Sequence, residues 1–281
     1  MQQWSQKKYK MGKTVGLVPT MGALHRGHIS LIEASKQEND LTVVSIFVNP
    51  TQFSAGEDFE KYPRDFAGDC KKLEQAGIDA LFLPKTSDMY SEGFATYIEV
   101  RGISNRLCGA YRAGHFTGVA TIVAKLFNTV MPTHAYFGLK DYQQCVVIRK
   151  MVSDLNIPVT LRFCDTVREH DGLAMSSRNT YLTSEQRLDA PILYKALCKA
   201  SLLISERRLV KFREAASLMQ QLLKSSAHIS EIQYGSVYDS ETLDDISEQD
   251  ASSYSGKPVA LAIAVKIGST RLIDNLIVTV P

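Results

Sequence analysis

The sequence predicts an α/β protein, a parallel-sheet domain over residues 1–175 followed by a smaller α+β domain over residues 176–281. Three features carry the prediction. Short apolar runs at residues 14–18, 41–48 and 80–83 alternate with stretches at helical spacing, as strands buried on both faces of a sheet do. The first two runs end in turns of small or neutral polar residues, at the strand end where open α/β sheets hold ligands. From about Ser176 the order changes to two helical stretches and then three strand-like runs, which is α+β rather than βαβ.

Taken in order, residues 14–18 read as a buried strand, and Ile29, Leu31, Ile32 and Ala34 cover one side of a following helix. Residues 41–48 are a central strand rich in β-branched residues. Residues 54–65 are polar and carry Gly56 and Pro63, so they read as a binding loop or lid. A helix over residues 66–76 is stopped by Gly77, a strand at 80–83 is closed by Pro84, and residues 96–100 form a short strand. Residues 107–116 are a loop entering a core helix, in which Phe116, Val119, Ile122, Val123, Leu126 and Phe127 repeat at helical spacing. Lys125 interrupts that stripe and snorkels outward. Strands at 135–137 and 159–163 flank a helix over 142–155. In the second domain helices span 185–205 and 211–224, strands span 229–238, 259–266 and 272–280, and the acidic stretch 240–250 is a solvated turn or short helix.

Composition excludes several classes of function. A hydrophobic content of 44% and a charged content of 22% are ordinary for a globular protein. A net charge of +2 gives no basic field for nucleic acid or an acidic membrane. The five cysteines, at 70, 108, 145, 164 and 198, are odd in number and scattered, which points to a reducing cytoplasm. No apolar run approaches the roughly 18 residues of a membrane span, and the first residues lack an apolar signal core.

The chemistry gathers on the turns. In the stretch from Val18 to His28, His25 and His28 lie three residues apart at a helix start, near free backbone N–H groups and the positive end of the helix dipole. Gly22 and Gly27 let a phosphate approach the backbone. The pair could instead be half a zinc site, but no third ligand of suitable spacing is evident, or two ordinary surface histidines. Asn49 and Gln52 follow the second strand and suit hydroxyls and carboxylates, or simply make a polar turn. Gly138 and Lys140 stand at another helix start, and Ser176, Ser177 and Arg178 offer hydroxyls and a guanidinium to phosphate or cap a turn. Arg112 and His115 could equally be a cap and a surface charge, and Asp69 an exposed helix residue.

The string Pro19-Thr20-Met21-Gly22-Ala23-Leu24-His25-Arg26-Gly27-His28 resembles the His-x-Gly-His signature of the nucleotidylyltransferase superfamily, and at its full length the pantoate–β-alanine ligase family. Further strings resemble that family in its order: Val48-Asn49-Pro50-Thr51-Gln52-Phe53, Tyr62-Pro63-Arg64, Leu107-Cys108-Gly109, Arg112-Ala113-Gly114-His115-Phe116, Phe137-Gly138-Leu139-Lys140-Asp141, and residues 166–179. Ala113 replaces the family's Pro and Leu139 its Glu, so no chemistry is placed on the Leu139 side chain.

The resemblance implies a Rossmann-like first domain and a C-terminal domain acting as a lid. It implies ATP-dependent condensation of (R)-pantoate with β-alanine through pantoyl adenylate, giving pantothenate, AMP and pyrophosphate. His25, His28, Lys140 and Arg178 would be catalytic. ATP would contact Met21, Gly22, Ala23, Leu24, His25, Arg26, Gly27, His28, Gly138, Leu139, Lys140, Asp141, Val167, Met175, Ser176, Ser177 and Arg178. Gln52 and Gln144 would hold pantoate, and Mg2+ would bridge the ATP phosphates with Asp69 nearby. Small molecules would be its partners, with no nucleic acid and no membrane, in a homodimer. Two alternatives remain at this level: another nucleotidylyltransferase, and a non-catalytic nucleotide-binding protein.

Overall fold

The computed structural model of the protein describes residues 1–54 and 56–281, so of the 54–65 loop only Ala55 lies outside it. Two compact units emerge. The first comprises Met1–Asn105 and Arg112–Val167, the second Arg106–Tyr111 and Arg168–Pro281. The division therefore falls at Val167, ahead of the boundary expected near 175. Its physical reason is Arg168, which pairs with Asp274 (2.6 Å) and lies 3.7 Å from the centre of the Tyr194 ring, both in the second unit.

The first unit opens with helix α1 (Gln2–Lys10), strand β1 (Val15–Thr20), helix α2 (Arg26–Glu38) and strand β2 (Leu41–Ile46). A 3₁₀ turn at Pro50–Gln52 precedes helix α3 (Phe66–Ala76), strand β3 (Ala80–Phe82) and helix α4 (Thr86–Met89). Helix α5 (Cys108–Tyr111), a turn inside the expected 107–116 loop, belongs to the second unit. Helix α6 (His115–Val130), strand β4 (His134–Gly138), helix α7 (Tyr142–Asp154) and strand β5 (Thr160–Cys164) complete the first.

The five strands form a sheet in the order β3-β2-β1-β4-β5, all parallel. The chain thus builds outward from β1 to β3, then returns to the other side of β1 for β4 and β5. That reversal makes the β1/β4 boundary the topological switch point, where a crevice opens beyond the strand ends. The register shows the opening. β1 pairs with β2 up to Thr20↔Ile46, but its pairing with β4 stops at Leu17↔Ala135. Pro19, which has no N–H to give, sits beyond the point where the β4 ladder has ended. Leu17, Val18, Val43 and Val44 are fully buried, which is why these strands read as continuous apolar runs.

The second unit holds helices α8 (Ser184–Asp189), α9 (Ile192–Ser205) and α10 (Arg213–Lys224), and strands β6 (Ile229–Asp239), β7 (Pro258–Ile267) and β8 (Thr270–Thr279). The strands pair antiparallel in the order β6-β7-β8. Its core joins Leu193, Leu197, Met219 and Leu223 of the helices to Leu261, Ile263 and Val265 of β7.

Three local expectations are corrected. The single helix expected over residues 185–205 is two, because Pro191 lacks the N–H that would continue α8 and instead caps α9. Residues 96–100 form no strand; Ile98 N–H donates to Thr121 Oγ1 of α6 (2.9 Å) instead of joining a ladder. Lys125 does not simply reach outward, since its ammonium lies 4.5 Å from the centre of the Phe94 ring.

Candidate active site

The turn after β1 is shaped by its own backbone. Thr20 Oγ1 donates to Ser45 O (2.8 Å) and accepts the Gly22 N–H (3.2 Å). Gly22 takes φ +81°, and a Cβ there would lie 3.1 Å from Asp69 Oδ2 and 3.2 Å from Ile46 Cγ2, so only glycine suits the position. Asp69, on α3, accepts the Ala23 N–H at Oδ2 (2.8 Å) and the Leu24 N–H at Oδ1 (2.7 Å). One turn further along α3, Lys72 Nζ donates to Leu24 O (2.7 Å). Donors and acceptors of the turn are thus held from one helix face.

Asp69 is therefore not the exposed residue that spacing suggested. It is 1% exposed and both its oxygens accept turn N–H groups. Asp69→Asn removes one of the two acceptors and is expected to lower stability by about 1–2 kcal/mol, measured by urea denaturation. Stability equal to that of the wild type would show that the turn holds itself.

The two histidines cap α2 reciprocally. The Gly27 N–H donates to His25 Nδ1 (3.2 Å), and the His25 N–H donates to His28 Nδ1 (3.2 Å). This is a capping box with imidazoles in place of the usual hydroxyl and carboxylate or amide. It has a chemical consequence. A ring nitrogen that accepts carries no proton, so each neutral imidazole has its hydrogen on Nε2. The rings lie 4.1 Å apart, centre to centre. Burial, then the neighbouring His25, pushes the His28 pKa down to about 3, so His28 is neutral at physiological pH. Both rings then act as oriented N–H donors at the positive end of α2.

The β4 turn comes next to this one because β4 neighbours β1. Gly138 ends β4, a 3₁₀ turn spans Leu139–Asp141, and α7 follows. Lys140 is 20% exposed and lies 3.5 Å from Asp141. Both act electrostatically on His28, Asp141 raising and Lys140 lowering its pKa. The second and fourth turns bring the two glutamines. Gln52 is buried beyond β2. On α7, Gln143 is buried and donates to Ile103 O (2.8 Å), while Gln144 remains partly exposed.

His115 is not a surface charge. It is 8% exposed, its Nδ1–H donates to Gln52 O (2.7 Å), and its Nε2 accepts from Arg112 Nη1 (2.9 Å). Arg112 also forks onto both oxygens of Glu57, each at 2.7 Å. Burial raises the Glu57 pKa, but the Arg112 bonds outweigh it and hold the carboxyl below its ordinary value. This chain of contacts fastens the backbone of Gln52 and the start of the following loop. Arg-x-x-His spacing was visible in the sequence, but nothing in it marked the histidine as buried.

In the second unit, residues 168–182 are tied locally. Arg187 pairs with Glu169 and Asp171, each at 2.6 Å, and Asn179 Nδ2 donates to Glu169 Oε1 (2.8 Å). Ser176 Oγ accepts the Arg178 N–H (3.3 Å) and so caps the 3₁₀ turn Ser177–Tyr181. Val167 stands at the end of the first unit, three residues beyond β5.

Fold and site together define a nucleotide-using α/β enzyme. A family model described as pantoate–β-alanine ligase matches residues 1–277. The pantothenate synthetase of Thermodesulfovibrio yellowstonii is 54% identical over 95% of this chain and 92% of its own length. That of Acetivibrio thermocellus is 52% identical over 96% and 93%. Among solved structures, pantothenate synthetase from Thermus thermophilus matches with TM-score 0.87 at 45% identity, covering 94% of this chain and 92% of that one. Pantoate–β-alanine ligase from Francisella tularensis, complexed with β-γ ATP and β-alanine, matches with TM-score 0.76 at 35% identity, covering 98% and 94%. The chain belongs to the pantoate–β-alanine ligase family.

Proposed function

We propose that this enzyme, which forms pantothenate by ATP-dependent ligation, does so in two displacements around the β1/β4 crevice. A pantoate carboxylate oxygen attacks the α-phosphorus of ATP. The new bond is carboxylate oxygen to phosphorus, and the bond broken releases pyrophosphate with its electron pair. The β-alanine amine then attacks the acyl carbon of pantoyl adenylate, AMP leaves with the carbon–oxygen electron pair, and the nitrogen loses a proton. No covalent enzyme nucleophile is required; positioning and charge stabilisation suffice.

The observation that carries this reading is the pair of imidazoles at the start of α2, 4.1 Å apart, whose Nδ1 atoms accept its N–H groups, so that the N–H of a neutral ring stands on Nε2. Such donors suit oxygens that gain charge as the α-phosphorus is attacked. Lys140 follows β4 and adds a point charge. The backbone of Met21–Gly27, with Arg26, and of Gly138–Asp141 borders the triphosphate. Val167 meets the adenine through its backbone, and Met175, Ser176, Ser177 and Arg178 are assigned to the nucleotide with them. Mg2+ enters with the nucleotide. The phosphates would be its main ligands, with Asp69 nearby, as the family resemblance implies.

Pyrophosphate release is the test: it should require pantoate and fail with phosphorylated acceptors that other nucleotidylyltransferases use. Release that is independent of pantoate would overturn the reading. Gln52 and Gln144 are assigned to pantoate. Gln52→Ala is expected to raise the pantoate KM about tenfold while leaving that for ATP near its wild-type value, the effect of one lost hydrogen bond in a buried site. A raised ATP KM with unchanged pantoate KM would move Gln52 to the nucleotide.

The C-terminal domain is assigned as a lid on the family resemblance, which includes residues 166–179. Hydrogen exchange across residues 170–185 should slow on adding ATP and pantoate, and less so in Arg178→Ala. Equal protection with and without ligands would make the loop a static element. No helix is long and apolar enough to cross a membrane among the described residues. A homodimer is expected, checked by light scattering.

A further inference from the structure

Asn49 sits just beyond β2 and is 1% exposed. Its amide is fully used. Nδ2 donates to Gly118 O (3.1 Å) and to Gln52 Oε1 (3.1 Å). Oδ1 accepts from Tyr90 Oη (2.7 Å) and from Thr51 Oγ1 (3.0 Å). The orientation of this amide has one solution. Gly118 O is a carbonyl and can only accept, so the NH2 of Asn49 must face it; the two hydroxyls then meet the oxygen.

Gly118 is held close to this turn. A Cβ there would lie 2.4 Å from Thr51 O and 2.7 Å from Gln52 N, which backbone could not yield to. The close approach of α6 to the turn therefore depends on glycine.

The orientation of Asn49 dictates that of Gln52. The group of Gln52 facing the Asn49 NH2 must be its oxygen, so its own NH2 turns the other way. There Nε2 meets Met21 Sδ (3.1 Å), a thioether and so a weak acceptor. A substrate oxygen would replace that contact with a stronger bond, whereas a substrate donor at the same point would face a second donor.

We propose that Tyr90 is a positioning residue for substrate selection. Gly118 O sets the direction of the Asn49 amide, and Tyr90, by donating to Asn49 Oδ1, holds that amide where it makes Gln52 present hydrogen-bond donors, so that the site selects a ligand whose group at that point is an acceptor, a carboxylate or hydroxyl oxygen. Tyr90 is suited to the task. It follows the last residue of α4, and its ring packs edge-on against Phe94 (5.0 Å between centres) with the Lys125 ammonium 5.7 Å from the ring centre. The ring is thus held on several sides while the hydroxyl reaches Asn49 and Thr51. This inference rests on the assignment of Gln52 to pantoate and adds the residue that holds in place the Asn49 amide by which Gln52 is oriented.

The experiment is a double-mutant cycle on the whole enzyme, reading the KM values for pantoate and ATP and kcat. Tyr90→Phe keeps the ring and removes only the hydroxyl. It is expected to raise the pantoate KM about fivefold, with the ATP KM and kcat within about twofold of wild type, as for loss of one orienting hydrogen bond. In the Gln52→Ala background the same change should add nothing, because Tyr90 acts through Gln52. A pantoate KM raised equally in both backgrounds would show that Tyr90 works by another route, and would overturn the proposal while leaving Gln52 at the substrate. If Gln52→Ala alone leaves the pantoate KM unchanged, the assignment of Gln52 fails first and the relay fails with it. Should Tyr90→Phe not fold, Thr51→Val, which removes the other hydroxyl from Asn49 Oδ1, is carried through the same cycle with the same expected pattern.

Discussion

His28→Ala is expected to slow pyrophosphate release in a single turnover by roughly 10²–10³, the usual loss for one preorganised donor to a developing charge. ATP affinity should fall much less, because the donor matters most where charge is gained during attack. The side chain also has a structural duty, since its Nδ1 accepts the His25 N–H at 3.2 Å. Losing that cap costs about 0.5–2 kcal/mol of stability, and a slow variant could simply be a loosened one. His28→Gln separates the two. Glutamine is the ordinary residue at this position of a capping box, so it should restore the cap. Its amide cannot at the same time place an N–H where the imidazole Nε2–H stands. The expected pattern is stability near wild type in His28→Gln with the rate still depressed. Recovery of the rate together with the stability would assign His28 to capping alone.

The sequence made the parallel sheet legible because parallel strands are buried on both faces. Leu17, Val18, Val43 and Val44 all have to be apolar, whichever way they point. It made the turns legible because strand ends, glycines and helix starts coincide. It did not show how the turns are held. The cap of α2 was hidden because capping boxes are recognised by hydroxyl and carboxylate residues, and here two imidazoles share the work. Asp69 looked like a solvated helix residue because its partners are the N–H groups of Ala23 and Leu24, far away in the chain. Tyr90 belonged to no motif, and its role depends on a carbonyl at Gly118 that no side-chain pattern reports. Residues 96–100 are β-prone in composition, yet nothing pairs with them as a ladder, since local propensity cannot supply a neighbour. Helix α1 was missed for the converse reason: Gln2–Lys10 buries only Ser5 and so shows no apolar stripe.

Between pH 7 and pH 4.5 the first unit is expected to lose about 3 kcal/mol of folding stability through His115 alone. The ring is buried, donates from Nδ1 to Gln52 O and accepts at Nε2 from Arg112. A proton at Nε2 would put an N–H against a guanidinium and a charge in the interior. Burial first, and then Arg112, push the pKa down to about 3, against the opposing pull of the Gln52 carbonyl, Glu57 and Asp141. In the unfolded chain the same ring titrates near its ordinary value of about 6.5. Below that pH the unfolded state binds a proton that the folded state refuses, so stability falls as the solution is acidified. The loss continues until about pH 3, where the folded ring is protonated as well. At pH 4.5, roughly two units below the unfolded value, it amounts to about 1.4 kcal/mol per unit. His28 is shifted in the same direction, so the whole protein should lose more than His115 accounts for. The measurement is urea denaturation at the two pH values, followed by the fluorescence of Trp4, the single tryptophan and a residue of the same unit. His115→Gln keeps a donor for Gln52 O and an acceptor for Arg112 but does not titrate. Its stability should fall by about 3 kcal/mol less than that of the wild type over this interval. Equal losses in the two proteins would mean that the folded state accepts the proton, and that the Arg112–His115–Gln52 chain does not depend on a neutral imidazole.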